Sequence, residues 1–236
     1  MSPLPRIRFV ERTGSTNTDL LDAPDAHEGD WLVAARQDSG RGRQNRNWES
    51  PAGNFHGSTL VRLQPGDPQP SSLSLAAGLA LIRAVEAAAP ATGLMLKWPN
   101  DLLLGSAKLA GILLERQGDR VVAGFGVNLA HAPTIPGRET AALSGIALVS
   151  PEAFAPLLAA SFARELARWR SDPEGLVALW LESAHPLGAP LSVHFSAEEK
   201  IEGRFAGLAE DGALRLSLPS GEERRIHAAD VSLGTA

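Results

Sequence analysis

The sequence has 236 residues, 44% hydrophobic and 21% charged, a globular balance with enough chain to bury a core without covalent staples. It holds no cysteine, which excludes disulfides, thiolate zinc sites and cysteine nucleophiles together, and fits a reducing compartment. The net charge of −5 argues against duplex DNA as a partner; no run nears the ~18 consecutive apolar residues of a bilayer span, and residues 1–8 lead into no apolar signal core.

In chain order, residues 7–10 read as a short strand. Ser15-Thr16-Asn17 then offers side-chain oxygens to cap a helix over residues 18–21. Residues 31–35 form an apolar run of strand length. Residues 38–53 keep no period, and residues 58–63 resume a strand pattern. Leu75, Leu79, Ile82 and Val85 recur at helical spacing and predict a helix over residues 74–89. Strand candidates at 94–97, 102–104, 112–115 and 121–127, separated by Gly105-Ser106 and Gly118-Asp119, read as a meander rather than a βαβ series.

Residues 130–150 are loop-rich. Residues 151–170 predict a helix that Pro156 should kink or delay. A second helix starts behind Asp172-Pro173 and runs to about Ser183. From Leu187 short alternating strands follow at 191–195, 201–208 and 213–218, the texture of a small antiparallel barrel. A domain boundary is placed near Gly188, giving segments 1–187 and 188–236. The class expected is α+β, a mixed or antiparallel sheet with flanking helices plus a small C-terminal antiparallel β-barrel.

Three segments carry chemistry. The loop Gly40-Arg41-Gly42-Arg43-Gln44-Asn45-Arg46-Asn47-Trp48 combines fixed positive charge with backbone able to approach a ligand, and the arginine fork suits a phosphorylated one. It lacks the ending of a P-loop, and no helix follows it as in a dinucleotide fingerprint. By itself it fits a solvated basic loop as well. Lys97-Trp98-Pro99-Asn100-Asp101, followed by Lys108-Leu109-Ala110-Gly111-Ile112-Leu113, sets two lysines beside apolar strands, where an ammonium can balance a carboxylate, phosphate or adenylate. Alone it also fits a packed strand end with surface lysines. Gly124-Phe125-Gly126-Val127-Asn128 alternates glycine through a strand, as close approach to its backbone or a bulge requires. The histidines show no metal-ligand spacing.

Taken together, Ser15-Thr16-Asn17, Gln37, the 40–48 loop, the two lysine motifs and Gly126-Val127-Asn128 resemble the ordered motif set of biotin–protein ligases, and the texture of the remaining chain follows the same family's order. The resemblance implies a class II synthetase-like catalytic domain that forms biotinyl-5′-AMP from biotin and ATP, then transfers biotin to a carrier lysine. It implies biotin contacts from Ser15, Thr16, Asn17, Gln37, Arg41, Gly42, Arg43, Lys108 and Gly111. It implies ATP contacts from Arg43, Arg46, Trp48, Lys97, Asn100, Asp101, Lys108, Ile112 and Asn128, with Lys108 and Arg43 catalytic. Mg²⁺ is expected on the ATP phosphates and not on a protein metal site.

The implied partner is a biotin carboxyl carrier protein or domain, with a homodimer left open and neither DNA nor membrane involved; the expected compartment is the cytoplasm. The 40–48 loop, with glycines and uncompensated arginines, is expected to order over bound ligand. Two departures from the family pattern are Asn45, where another glycine is usual, and His56-Gly57, which puts the shape of one pocket wall in question.

Three other readings compete. Lipoate–protein ligases share the architecture but would lack the arginine-glycine loop. A biotin-responsive repressor needs a three-helix DNA reader, and little chain precedes Ser15. A catalytically silent nucleotide-binding module is countered by intact Lys108 and Arg43.

Overall fold

The computed structural model describes residues 6–195 and 199–233; residues 1–5 of the N-terminal stretch read above lie outside them. A seven-stranded sheet contains β1 (Ile7–Thr13), β2 (Trp31–Gln37), β3 (Phe55–Arg62), β4 (Leu94–Lys97), β5 (Asp101–Leu104), β6 (Ala107–Gln117) and β7 (Arg120–Val127). Its order is β1-β2-β3-β7-β6-β5-β4, with β1 and β2 parallel and every other pair antiparallel. The 94–127 meander is therefore as expected, inside a mixed sheet.

Side chains alternate across this sheet. On one face Trp31, Val33, Phe55, Val61, Val121, Ala123 and Phe125 form the main core with α2 (Leu73–Ala88) and α3 (Pro151–Ser171). Trp31 stacks on Phe125 at 5.6 Å, and both meet Phe162 of α3 edge-on. On the other face Leu32, Leu60 and Val122 pack with Leu20 of α1 (Thr16–Asp22), and the rest of that face stays open as a cleft. Strand β2 is thus apolar on both sides, which is why it reads as a continuous run rather than an alternating one.

Residues 70–88 are long and apolar enough to cross a membrane by composition, yet most side chains of α2 are buried between the sheet and α3. The helix α3 begins at Pro151, so Pro156 does not delay it. That proline removes one N–H donor, while Phe154, Ala155, Leu158 and Ala159 bury around it and Ser150 caps the first turn by accepting from Ala153 N. Asp172 caps α4 (Pro173–Glu182) through Gly175 N.

The C-terminal strands β8 (Pro190–His194), β9 (Lys200–Leu208), β10 (Leu214–Ser217), β11 (Glu223–Ile226) and β12 (Asp230–Leu233) form an antiparallel sheet ordered β11-β10-β9-β8-β12. The expected barrel is not closed: among the described residues the four-residue edge strands β11 and β12 do not pair. The apolar side of the sheet leans on the main core instead. Leu191, Val193, Phe205 and Leu216 belong to the same buried cluster as α2 and α4, and Trp98 Nε1 donates to Gly212 O at 3.0 Å. Free of β11, the β12 edge carries residues 229–231 to the mouth of the cleft.

Candidate active site

The cleft has a volume of about 570 Å³ and its floor is the α1 face of the sheet. Period two puts Gly124 and Gly126 of β7, Gly111 and Leu113 of β6, and Ser58 of β3 on that face. The glycines make room. A Cβ on Gly124 would collide with the Asn17 amide, and one on Gly126 with the Trp48 indole. A Cβ on Gly111 would lie 3.1 Å from Trp48 and 3.2 Å from Lys108 Nζ. These glycines mark close approach, not a bulge.

One end of the cleft is neutral and hydrogen-bonding. Ser15 begins α1 with no side-chain cap bond, so its oxygen does not do the work expected of it there. Thr16 donates from N to Gln37 Oε1 at 2.9 Å, and its hydroxyl lies 2.6 Å from Ser58 Oγ. Ser58 donates to Asn17 Oδ1 at 2.6 Å, and Gln37 Nε2 donates to Ser50 Oγ at 3.2 Å. All four of Ser15, Thr16, Asn17 and Ser58 are buried.

The other end is cationic. Lys97 closes β4 and Asp101 opens β5 as its register partner, across a turn that contains the cis Trp98-Pro99 bond. Pairing of β5 with β6 shifts between Leu102 and Leu103, so that Leu109 and Ala110 both enter the core. This bulge returns Lys108 to the face of Gly111. Lys108 Nζ then donates to Asp101 Oδ1 at 2.5 Å, and Lys97 Nζ lies 3.2 Å from Oδ2.

Burial alone would raise the Asp101 carboxyl, but the two ammonium groups outweigh it and hold it below the usual carboxylate range. Burial pulls the Lys108 ammonium below its ordinary value, and Asp101 limits that fall. Lys108 also stands 5.4 Å from the Trp48 ring centroid, within cation–π range.

The 40–48 loop roofs the cleft, and its arginines are not uncompensated. Arg41 pairs with Glu115 at 3.0 Å. Arg43 donates to Ala229 O at 2.9 Å and lies 3.5 Å from Asp230, which also pairs with Arg46. Burial lowers the Arg43 guanidinium, with Asp230 and Asp101 opposing. The loop core is a short 3-10 turn over Arg43–Asn45, in which Gln44 takes φ +55°. A non-glycine residue in that left-handed region costs roughly 1 kcal/mol or more.

Every residue proposed from sequence lines this one cleft, Gly42, Ile112, Asn100 and Asn128 included. The two asparagines have their amide donors engaged: Asn100 with Ile112 O at 2.6 Å, and Asn128 with Ala141 O at 3.0 Å. His56 and Gly57 do not form the wall. His56 is buried with Nε2 3.2 Å from Pro51 O and its basicity lowered by burial, and a Cβ on Gly57 would meet Phe55 and Val33. Sequence reasoning missed Ser58, Glu115 and Asp230. The first two follow from strand alternation once the face is known; Asp230 had no local signal.

Residues 7–130 match the Biotin/lipoate A/B protein ligase family, and residues 193–234 match the Biotin protein ligase C terminal domain. The chain belongs to the biotin/lipoate protein ligase family. It is 40% identical to a Biotin--[acetyl-CoA-carboxylase] ligase of Paracoccus denitrificans, over 96% of this chain and 100% of that one. A ligase of the same name from Mycobacterium tuberculosis is 32% identical over 96% of this chain and 88% of the relative. A biotin protein ligase from Aquifex aeolicus, solved with biotin and ATP, shares the ligase fold at a TM-score of 0.85 and 24% identity, covering 97% and 99% of the two chains.

Proposed function

We infer that this chain is an ATP-dependent biotin–protein ligase that makes biotinyl-5′-AMP and transfers biotin to a lysine of a biotin carboxyl carrier of acetyl-CoA carboxylase. The observation that carries this is one cleft with two chemistries, in a chain 40% identical end to end to a ligase of that name. The Thr16, Asn17, Gln37 and Ser58 end offers hydrogen bonds that a cyclic urea uses and a dithiolane does not. This favours biotin over lipoate within the same family.

At the cationic end, attack of the biotin carboxylate on the α-phosphorus brings two anions together and expels pyrophosphate. Lys108, Lys97 and Arg43 offset that repulsion in a buried setting, where fixed charges act most strongly. Lys108, beside Gly111 and the Trp48 ring on the cleft floor, is assigned to the reacting carboxylate and phosphate; Arg43 and Arg46 are assigned to the phosphates. ATP would bring Mg²⁺ on its phosphates, where the ion supplies charge neutralisation. In the second step a neutral carrier lysine attacks the acyl carbon and AMP leaves, while the 40–48 roof keeps water from the mixed anhydride.

The deciding experiment is incubation with biotin, Mg-ATP and a carrier domain, read by intact mass. A carrier heavier by one biotinyl group is the expected result; no change, or lipoylation in place of biotinylation when equal lipoate is added, would end the assignment. A cytoplasmic enzyme without a DNA partner is the reading that net charge and the ATP-dependent chemistry favour. A sequence-specific mobility shift at physiological salt would overturn the second half.

A further inference from the structure

Glu115 lies on β6 two residues beyond Leu113, on the cleft side of the sheet but behind the lining. Its carboxylate holds two groups at once. Oε2 accepts from Asn17 Nδ2 at 2.8 Å, and Oε1 accepts from Arg41 NH2 at 3.0 Å. Arg41 NH2 also reaches Thr18 Oγ1 at 2.8 Å, which fixes Glu115 from the loop side. Asn17 Nδ2 has a second acceptor in Leu113 O at 3.3 Å.

A carboxylate and a carbonyl can only accept, so the amide of Asn17 has a single orientation: NH₂ toward Glu115, Oδ1 toward Ser58. The choice propagates. With Asn17 Oδ1 an acceptor, Ser58 must donate its one hydroxyl proton there at 2.6 Å. The 2.6 Å contact between Ser58 and Thr16 must then be donated by Thr16. Thr16 Oγ1 also lies 3.1 Å from Gln37 Oε1, but that oxygen already accepts from Thr16 N at 2.9 Å, so the hydroxyl proton goes to the shorter contact with Ser58. One acidic side chain outside the lining, with the longer Leu113 O contact beside it, thus sets the direction of a chain of three hydroxyl and amide groups inside it.

We propose that Glu115 is a positioning residue for substrate recognition. It fixes Asn17 Oδ1 as an acceptor at the neutral end of the cleft, and so selects a ring that presents an N–H there. This rests on the reading of that end as the ureido site. The roof is tied to the same carboxylate through Arg41, so ring site and loop share one anchor.

Three variants of the full chain test this by biotin-dependent ATP–pyrophosphate exchange, with biotin and ATP varied separately and melting followed alongside. Glu115→Gln replaces the charged acceptor at 2.8 Å with a group that can also donate. It leaves the longer Leu113 O contact at 3.3 Å as the one obligate acceptor, so the Asn17 amide turns over more readily. The biotin KM is expected to rise about tenfold while the ATP KM and Tm stay near wild type. Asn17→Asp sets two carboxylates face to face and should raise the biotin KM further. Combining Asn17→Asp with Glu115→Gln restores a donor between the two positions and an acceptor toward the cleft, so the biotin KM should recover by at least fivefold over Asn17→Asp alone. Recovery in the double variant is a result that a bulk packing role would not give. An unchanged biotin KM in folded Glu115→Gln, equal rises in both KM values, or no recovery in the double variant overturns the proposal. Absence of biotin-dependent exchange in the wild-type chain overturns the ligase reading itself and not the role of Glu115.

Discussion

Lys108 Nζ and Asp101 Oδ1 meet at 2.5 Å, and the second oxygen of that carboxylate faces Lys97. One buried anion therefore pairs with two cations beside an open cleft, where both can face the anions of a substrate. Lys108→Ala should leave the fold intact, because Asp101 keeps Lys97. Loss of one charge-assisted contact costs on the order of 1.5–3 kcal/mol, so pyrophosphate exchange should slow about tenfold to a hundredfold. Wild-type exchange by a folded variant would remove Lys108 from the chemistry.

Asp101→Asn should behave differently. It leaves Lys108 and Lys97 together without their counter-charge, and removing one partner of a buried pair costs roughly 3–5 kcal/mol. Melting should fall by several degrees and exchange should fail with it. A variant that melts as wild type would show that the pair is more hydrated than its burial indicates.

Asp230 engages Arg43 and Arg46 at a half-buried strand edge, where Arg43 also keeps its bond to Ala229 O; Asp230→Asn should therefore cost only about 1 kcal/mol. What should change is the roof. Without ligand, proteolysis within residues 40–48 should quicken several-fold, and with biotin and a non-hydrolysable ATP analogue the rates should converge on wild type. Equal cleavage in the absence of ligand would show that Asp230 does not hold the arginines.

Gly126→Ala places a methyl group inside the present position of the Trp48 indole. The ring has to leave the floor, and biotin-dependent exchange should drop at least tenfold with the sheet retained. Normal activity would mean that the roof adapts without loss.

His185 is buried against Phe205 with its basicity lowered, chiefly by burial, to about 4. The unfolded chain binds this proton below about pH 6.5, whereas the folded chain resists until about pH 4. The stability that neutral His185 preserves is therefore present above pH 6.5 and lost as pH falls toward 4, about 3 kcal/mol in all. His185→Phe should flatten that part of the stability–pH curve relative to wild type. Parallel curves would place the acid sensitivity elsewhere.

Much of this site was legible in the chain because its residues lie in short motifs. Thr16, Gln37, Arg43 and Lys108 each stand in a polar or glycine-rich segment that apolar periodicity cannot explain, and all reach one cleft. What sequence did not show depends on sheet geometry. Lys108 and Gly111 are three apart, which on a regular strand sets them on opposite faces, and only the shift around Leu109 brings them together. Glu115 looked like an ordinary strand-end charge until its face was known. Asp230 pairs with a loop 184 residues earlier, a contact no local pattern encodes. The open C-terminal sheet was read as a barrel because alternation reveals strands but not whether the first meets the last.

Trp48 also has an optical consequence. The chain has five tryptophans and no tyrosine. Trp31, Trp98, Trp169 and Trp180 are each no more than 2% exposed, whereas Trp48, the last residue of the roof loop, is half-buried with its ring over Gly111 and Gly126. Its indole is thus the chromophore placed to move between apolar contact and water as the roof lifts. Emission from the native protein, with no label attached, should therefore report the state of the cleft in real time.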